Sequence, residues 1–319
     1  MTKSFRAGAR ARRGGCAALA VLVLAVLGTS CSSGGPSPAE SSAPPSGAAP
    51  LLAVKIDNVA AARPQLGLAA ADVVYAEQVE AGLSRLMALY ATRLPPEVGP
   101  VRSARESDLE LLAQFPDPVL AFSGAQSKLL PLIDAAPLRP VQPEGAPAGA
   151  YTRDPSRVAP HNLVLHPAEV VDRPAGAGVL SEAGFRTGAA PEGGEPVTER
   201  TVRFPSARFT FTWSAEAGRW QIALDGRRAV DADGTAVTAA TVVVQRVEIR
   251  ESRFQDFMGN NSPFTVTVGS GPVEVLRDGR AHAGEWQRPS AAGGTTFTTT
   301  DGRPLHFAAG PVWVLLVER

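Results

Sequence analysis

The chain has 319 residues, with 31 basic and 31 acidic side chains, four histidines and two cysteines, so its formal net charge is zero. That balance gives no basic face and excludes nucleic acid as an expected partner. Two cysteines cannot build a disulfide scaffold, so a hydrophobic core has to supply the stability.

The N-terminus carries Lys3, Arg6, Arg10, Arg12 and Arg13 ahead of an apolar run at 16–27 and then Gly28-Thr29-Ser30-Cys31. A basic leader followed by an apolar run too short for a stable membrane span reads as a signal peptide over 1–30. A cysteine after small residues resembles a bacterial lipobox, although Gly28 stands where a large aliphatic residue is usual and Leu27 lies one place further out. The expectation is a lipid on Cys31 and a membrane-anchored protein facing the extracytoplasmic side; the alternative is ordinary secretion with the cysteine unmodified. Cys16 would leave with the leader, and so would five cations, which makes the mature chain net acidic. Residues 31–50 are rich in Ser, Pro, Gly and Ala and read as a tether that cannot form a core.

Residues 51–170 read as an α/β domain. Apolar runs at 51–56 and 72–79 predict strands, and 84–91 is a strand or a helix, which periodicity cannot separate. Ser103 with Glu106 fits the S-x-x-E capping box, predicting a helix from there towards Phe115. Residues 118–122 predict a strand ending in Ser123-Gly124, 127–135 a helix, and 163–165 a strand. Strand, turn and helix in succession favour an α/β sheet. Residues 171–201 are rich in Gly, Ala, Pro and Glu and read as a linker or long loop. From 202 to 319 alternating runs separated by Asp225-Gly226, Asp233-Gly234, Asp278-Gly279 and Asp301-Gly302 predict a β-rich barrel or sandwich.

The stretches VKIDNVAAARPQLGLAAADVVYAEQVEAGLSRLMALY, VGPVRSAR and APHNL resemble the YerB-like bacterial lipoproteins. The likeness is close over 51–170 and looser over 202–317, where TVVVQ and GPVWVLLV fit. It implies a two-domain, membrane-tethered envelope protein of a family of unknown function. Leu83-Ser84 departs from the β-branched pair usual before the arginine.

The residues themselves point to an anion-binding cleft. Ligands of open α/β sheets collect beyond the carboxyl ends of strands. Asp57 and Asn58 would lie at one such end and Ser123 and Gly124 at another, with Arg102, Ser103 and Arg105 at the capped helix. Arg85 lies inside LSRLMALY and cannot be buried without a partner. The competing reading pairs Arg63, Arg85, Arg102 and Arg105 internally with Asp57, Asp72, Glu77 and Glu80. His161-Asn162 could orient a ligand or supply a base, or could satisfy loop backbone groups. His282, His306 and the four tryptophans read as structural. No metal-ligand spacing, phosphate loop or dinucleotide fingerprint is present, so no cofactor is expected. The expected role is non-catalytic binding of an anionic envelope component, a glycan or a lipid-linked phosphate. One alternative is a glycan hydrolase or transferase using Asp57, Glu80 or His161; another is a scaffold for an envelope protein.

Overall fold

The computed structural model describes residues 49–256 and 259–319. The leader, Cys31 and nearly all of the tether lie outside the described residues.

The chain begins with β1 (Leu52–Asp57), β2 (Val73–Gln78) and β3 (Ser84–Tyr90). These are followed by α1 (Glu106–Leu112), β4 (Val119–Ala121), α2 (Leu130–Asp134), β5 (Arg139–Val141), β6 (Tyr151–Arg153) and β7 (Leu163–Leu165). Next come α3 (Gly178–Glu182), β8 (Glu195–Pro196), β9 (Glu199–Phe204), β10 (Ala207–Ser214), β11 (Arg219–Leu224), β12 (Arg227–Arg228) and β13 (Thr238–Ala239). The chain closes with β14 (Thr241–Gln255), β15 (Asn261–Val266), β16 (Gly269–Arg277), β17 (Arg280–Arg288), β18 (Thr296–Thr299) and β19 (Val312–Glu318). The run that periodicity left open is therefore strand β3. The stretch 171–201, expected as a linker or loop, also carries α3 and buries Leu180, Ala183 and Phe185.

The fold is mostly β, and the α-helices among the described residues span only five to seven residues each. The expected alternation of strand and helix over 51–170 therefore holds only in part, in the run α1, β4, α2 and β5 with β1, β4 and β5 parallel. A mixed sheet runs β18-β17-β16-β14-β19-β2-β3-β1-β4-β5, with β15 on β14 and β8 on β17. The later strands close no barrel among the described residues. They continue the sheet of the first half, because β19 pairs in parallel with β2, Val312 opposite Val73 through Leu315 opposite Ala76. VWVLLV is buried on both faces, so it needs strands on both sides and cover above and below.

Alternation along the strands separates two cores. Leu52, Val54, Ile56, Val242 and Trp313 face a five-stranded sheet of β9 to β13. There Phe209 and Phe211 meet the Trp313 indole at centroid distances of 6.2 and 6.3 Å. Ala53, Met87, Leu89, Val243 and Val314 face the opposite way, towards α1, α2, α3 and loops carrying Phe115, Phe122 and Phe307. The Asp-Gly turns behave as read. Asp278 and Gly279 both take positive φ (52° and 72°), the geometry of a two-residue hairpin, and join β16 to β17.

Candidate functional site

At the carboxyl ends of the parallel strands β1 and β4, apolar packing gives way to charge. Segment 100–104 is laced between these ends. Asp57 N donates to Pro100 O (2.9 Å) and Arg102 N to Lys55 O (2.8 Å). On the other side Ser123 N donates to Arg102 O and Ala104 N to Gly124 O, each at 3.0 Å. Every side chain of interest thus hangs from backbone that is itself hydrogen-bonded. Gly124 has φ +136°, and a Cβ there would meet nothing within 4 Å, so its place in the turn is set by backbone conformation rather than crowding.

Lys55, Asp57, Glu77 and Arg85 share one face of β1, β2 and β3. The register sets Arg85 directly opposite Asp57 on one side and Glu77 on the other. Simple cross-strand pairing would neutralise Arg85. Neither acid does so. Glu77 turns to Lys55, which also donates to Asp108 Oδ1 at 2.6 Å, giving one ammonium two carboxylates. Burial pulls the Lys55 amine down to about 8, against the pull of Asp108. Asp57 turns the other way: its Oδ2 lies 2.9 Å from Arg102 Nε and 2.8 Å from His161 Nδ1.

Arg85 is left with no ion pair among the described residues. It is 7% exposed, its Nη1 donates to Ser103 O at 3.3 Å, and its buried Nε has no hydrogen-bond partner. Burial, then the neighbouring Arg105 and Arg102 guanidinium groups, pull it down to about 9, against the pull of Asp57 and Glu80. A buried cation facing other cations is the costly arrangement that proteins ordinarily relieve with a carboxylate.

The other arginines are better matched. Arg105 grips Glu80 with two bonds, Nε to Oε1 at 2.7 Å and Nη2 to Oε2 at 2.5 Å. Burial works against that carboxylate's charge, but Arg105 and the Ser262 hydroxyl hold Glu80 below its usual range. Arg63 pairs with Asp225. Asp72 accepts the Ala91 and Thr92 N–H groups. Arg102 Nε lies 2.9 Å from Asp57 Oδ2 without hydrogen-bond alignment, and the side chain is a quarter exposed.

The capped helix starts later than the S-x-x-E pattern placed it. The first turn of α1 follows Arg105, whose N–H donates to Asp108 Oδ2 at 2.7 Å. Ser103 Oγ instead lies 3.4 Å from Ser123 Oγ, and the Glu106 carboxylate reaches Ser252 and Arg253 on β14. Glu106 and Asp108 already meet the positive end of this short helix, so any attraction for a ligand has to come from Arg85 and Arg102.

Two further candidates have structural partners. Asn58 donates to Ser84 Oγ and accepts from Arg63 and Gln65. Asn162 accepts from Arg153 Nη1 at 2.8 Å. His161 differs: a carboxylate on Nδ1 fixes the proton there, and Nε2 makes no hydrogen bond to the described residues. The described residues include no group of three or more His, Cys, Asp or Glu placed to hold a metal ion.

Sequence reasoning did not single out Lys55 or Asp108. The signal was there, since a lysine inside the apolar run LLAVKID can be buried only with an acid beside it.

Beyond Ser103 and Arg105 opens a cavity of about 410 Å³, bounded by the loop at 125–129 and by β14 and β15.

Residues 37–179 match the N-terminal domain, and residues 200–314 the C-terminal domain, of a protein of unknown function, DUF3048. The chain belongs to the DUF3048 family. Over 55 residues it is 46% identical to a Bacillus subtilis protein named "Putative lipoprotein YerB", a match spanning 17% of this chain and 17% of that protein's length. The crystal structure of YerB from Bacillus subtilis superposes with a TM-score of 0.70 at 19% identity, covering 85% of this chain and 91% of that one. At that identity the likeness shows a shared fold alone. Among the described residues no helix is long and apolar enough to cross a membrane.

Proposed function

We propose that this protein is an extracytoplasmic lipoprotein that binds an anionic envelope component, a glycan or a lipid-linked phosphate, without chemically altering it. The single observation that carries the binding reading is Arg85: a buried guanidinium, opposite two acids that both point elsewhere, with two more arginines at hand. A bound anion would supply the charge that Asp57 and Glu77 withhold, and Arg102 would approach it with the guanidinium nitrogens that Asp57 leaves free. The anchoring part is supported by the leader, by Cys31 and by the lipoprotein name of the Bacillus subtilis relative. Titration calorimetry with inorganic diphosphate tests the binding. The wild-type chain is expected to bind, and Arg85→Gln to weaken binding at least tenfold; equal affinities in the two would refute the site.

The Asp57–His161 contact favours a second reading, acid–base catalysis on an envelope glycan. His161 Nε2 would act as the base, with Asp57 orienting the ring. Turnover of purified cell wall that disappears in Asp57→Asn would establish it; intact cell wall after prolonged incubation would remove it.

A further inference from the structure

We infer that the anion recognised here is carried by a sugar, whose ring occupies the cavity beyond Ser103 while its charged group meets Arg85 and Arg102. This rests on the anion-binding reading above and names the ligand class for it.

The two parts of the site share a wall. The Ser103 carbonyl accepts from Arg85 Nη1 and from Arg105 Nη1, each at 3.3 Å, and Ser103 itself lines the cavity. Neither Arg85 nor Arg102 lines the hollow itself, and Ser103, which Arg85 contacts, is the residue that joins the two parts. At about 410 Å³ the space is at the small end of the range, roughly 300–1,000 Å³, that holds small molecules. It suits a compact group rather than a long chain.

The lining decides the chemistry. Ser252, Ser262, Gln126 and Ser127 bring hydroxyl and amide groups, and Glu80 and Arg105 bring an acceptor and a donor locked together. A lipid tail there would strip these groups of water and return no hydrogen bonds. A sugar hydroxyl both donates and accepts, so it can meet Glu80 oxygens that retain lone pairs as well as the hydroxyl and amide groups around it. Leu129 and Phe254 add an apolar strip on which the C–H face of a ring can rest. Of the three acids that line the cavity, Glu80 is matched by Arg105 and Glu106 by Arg253, while Asp256 accepts from the Asn260 N–H and Nδ2.

Three probes separate the parts: inorganic phosphate, glucose and glucose 1-phosphate, titrated calorimetrically into the full chain. The expected order is glucose 1-phosphate at least tenfold tighter than phosphate, with glucose weakest. Ser127 is exposed, so Ser127→Trp fills space from the rim without disturbing the core. It is expected to narrow the gap between glucose 1-phosphate and phosphate to less than twofold. Gln126→Ala provides a second check and should narrow the gap in the same direction. If phosphate and glucose 1-phosphate bind equally to the wild-type chain, the sugar subsite is wrong and the anion site stands. If glucose binds as tightly as its phosphate, the anion reading fails and takes this inference with it. The absence of binding by all three at millimolar concentration overturns both.

Discussion

Lys55 and Arg85 are two buried cations on one face of one sheet, on neighbouring strands, and they are treated in opposite ways. Lys55 is fully enclosed and receives two carboxylates, Glu77 and Asp108. Arg85 stands in register with two acids and receives neither. The local supply of acid is therefore not scarce; it is directed. The Lys55 cluster is complete and ties β1 and β2 to α1. Arg85 has no carboxylate in direct contact, although Asp57 and Glu80 act on it from further off, and the Ser103 it contacts lines the surface hollow. Under the proposed binding reading, structural and ligand-binding charge are distinguished by where the carboxylates point.

Four experiments sharpen or break that contrast. Lys55→Met should have the largest effect on stability, because it strands Glu77 and Asp108 in the core. A loss of about 3–5 kcal/mol is expected in urea unfolding, and a loss under about 1 kcal/mol would mean the cluster holds little together. Glu80→Gln breaks the two-bond grip of Arg105 and should cost about 1–2 kcal/mol. Since the folded state holds the Glu80 carboxyl below its usual range, that contribution is present above the unfolded value near 4.3 and is lost as pH falls through the folded one. The gap between wild type and Glu80→Gln should therefore shrink below pH 4.

Asp231 gives a smaller effect with the opposite sign. It has no ion pair among the described residues and accepts the Leu68 and Ala69 N–H groups at 3.0 and 2.9 Å. Burial, opposed by those bonds, lifts it to about 6. The folded state then binds a proton more readily than the unfolded chain between about pH 4 and 6, so wild type should lose stability relative to Asp231→Asn as pH rises through that window. About 1 kcal/mol is expected after allowing for partial solvent screening; a flat difference would contradict the assignment. Arg85→Met should move stability least, staying within about 1 kcal/mol of wild type or raising it, because it removes a buried charge that has no direct ion pair. Its stability should thus be nearly the reverse of Lys55→Met, while anion binding is lost.

Strands whose signal is local were legible in the sequence. The apolar runs at 51–56, 72–79, 163–165 and 312–317 all became strands, because burial on both faces leaves an unbroken hydrophobic record. Their pairing was not legible. β19 lies against β2, more than two hundred residues earlier in the chain, and no periodicity within either strand encodes that choice. The capping pattern at Ser103 misled for a related reason: Ser123, brought alongside by the parallel β1–β4 pair, takes up the Ser103 hydroxyl, and Asp108 supplies the cap contact instead. Of the candidate site, the arginines and acids at the strand ends were readable, while their pairing, the Lys55–Asp108 contact and the cavity lining were not. Arg85, Arg102, Asp57 and His161 do come together, whereas Arg105 is satisfied by Glu80, and Asn58 and Asn162 by protein partners. A pairing preference depends on side-chain direction, and register alone would have matched Arg85 with Asp57 or Glu77.

The most direct examination of the open cation is a crystal structure of the protein grown in selenate, with anomalous data collected at the selenium edge. An anomalous peak within about 4 Å of an Arg85 guanidinium nitrogen, one hydrogen bond plus one selenium–oxygen bond away, is the expected result. An Arg85 head group closed onto Asp57 or Glu77, with no peak beside it, would contradict the account.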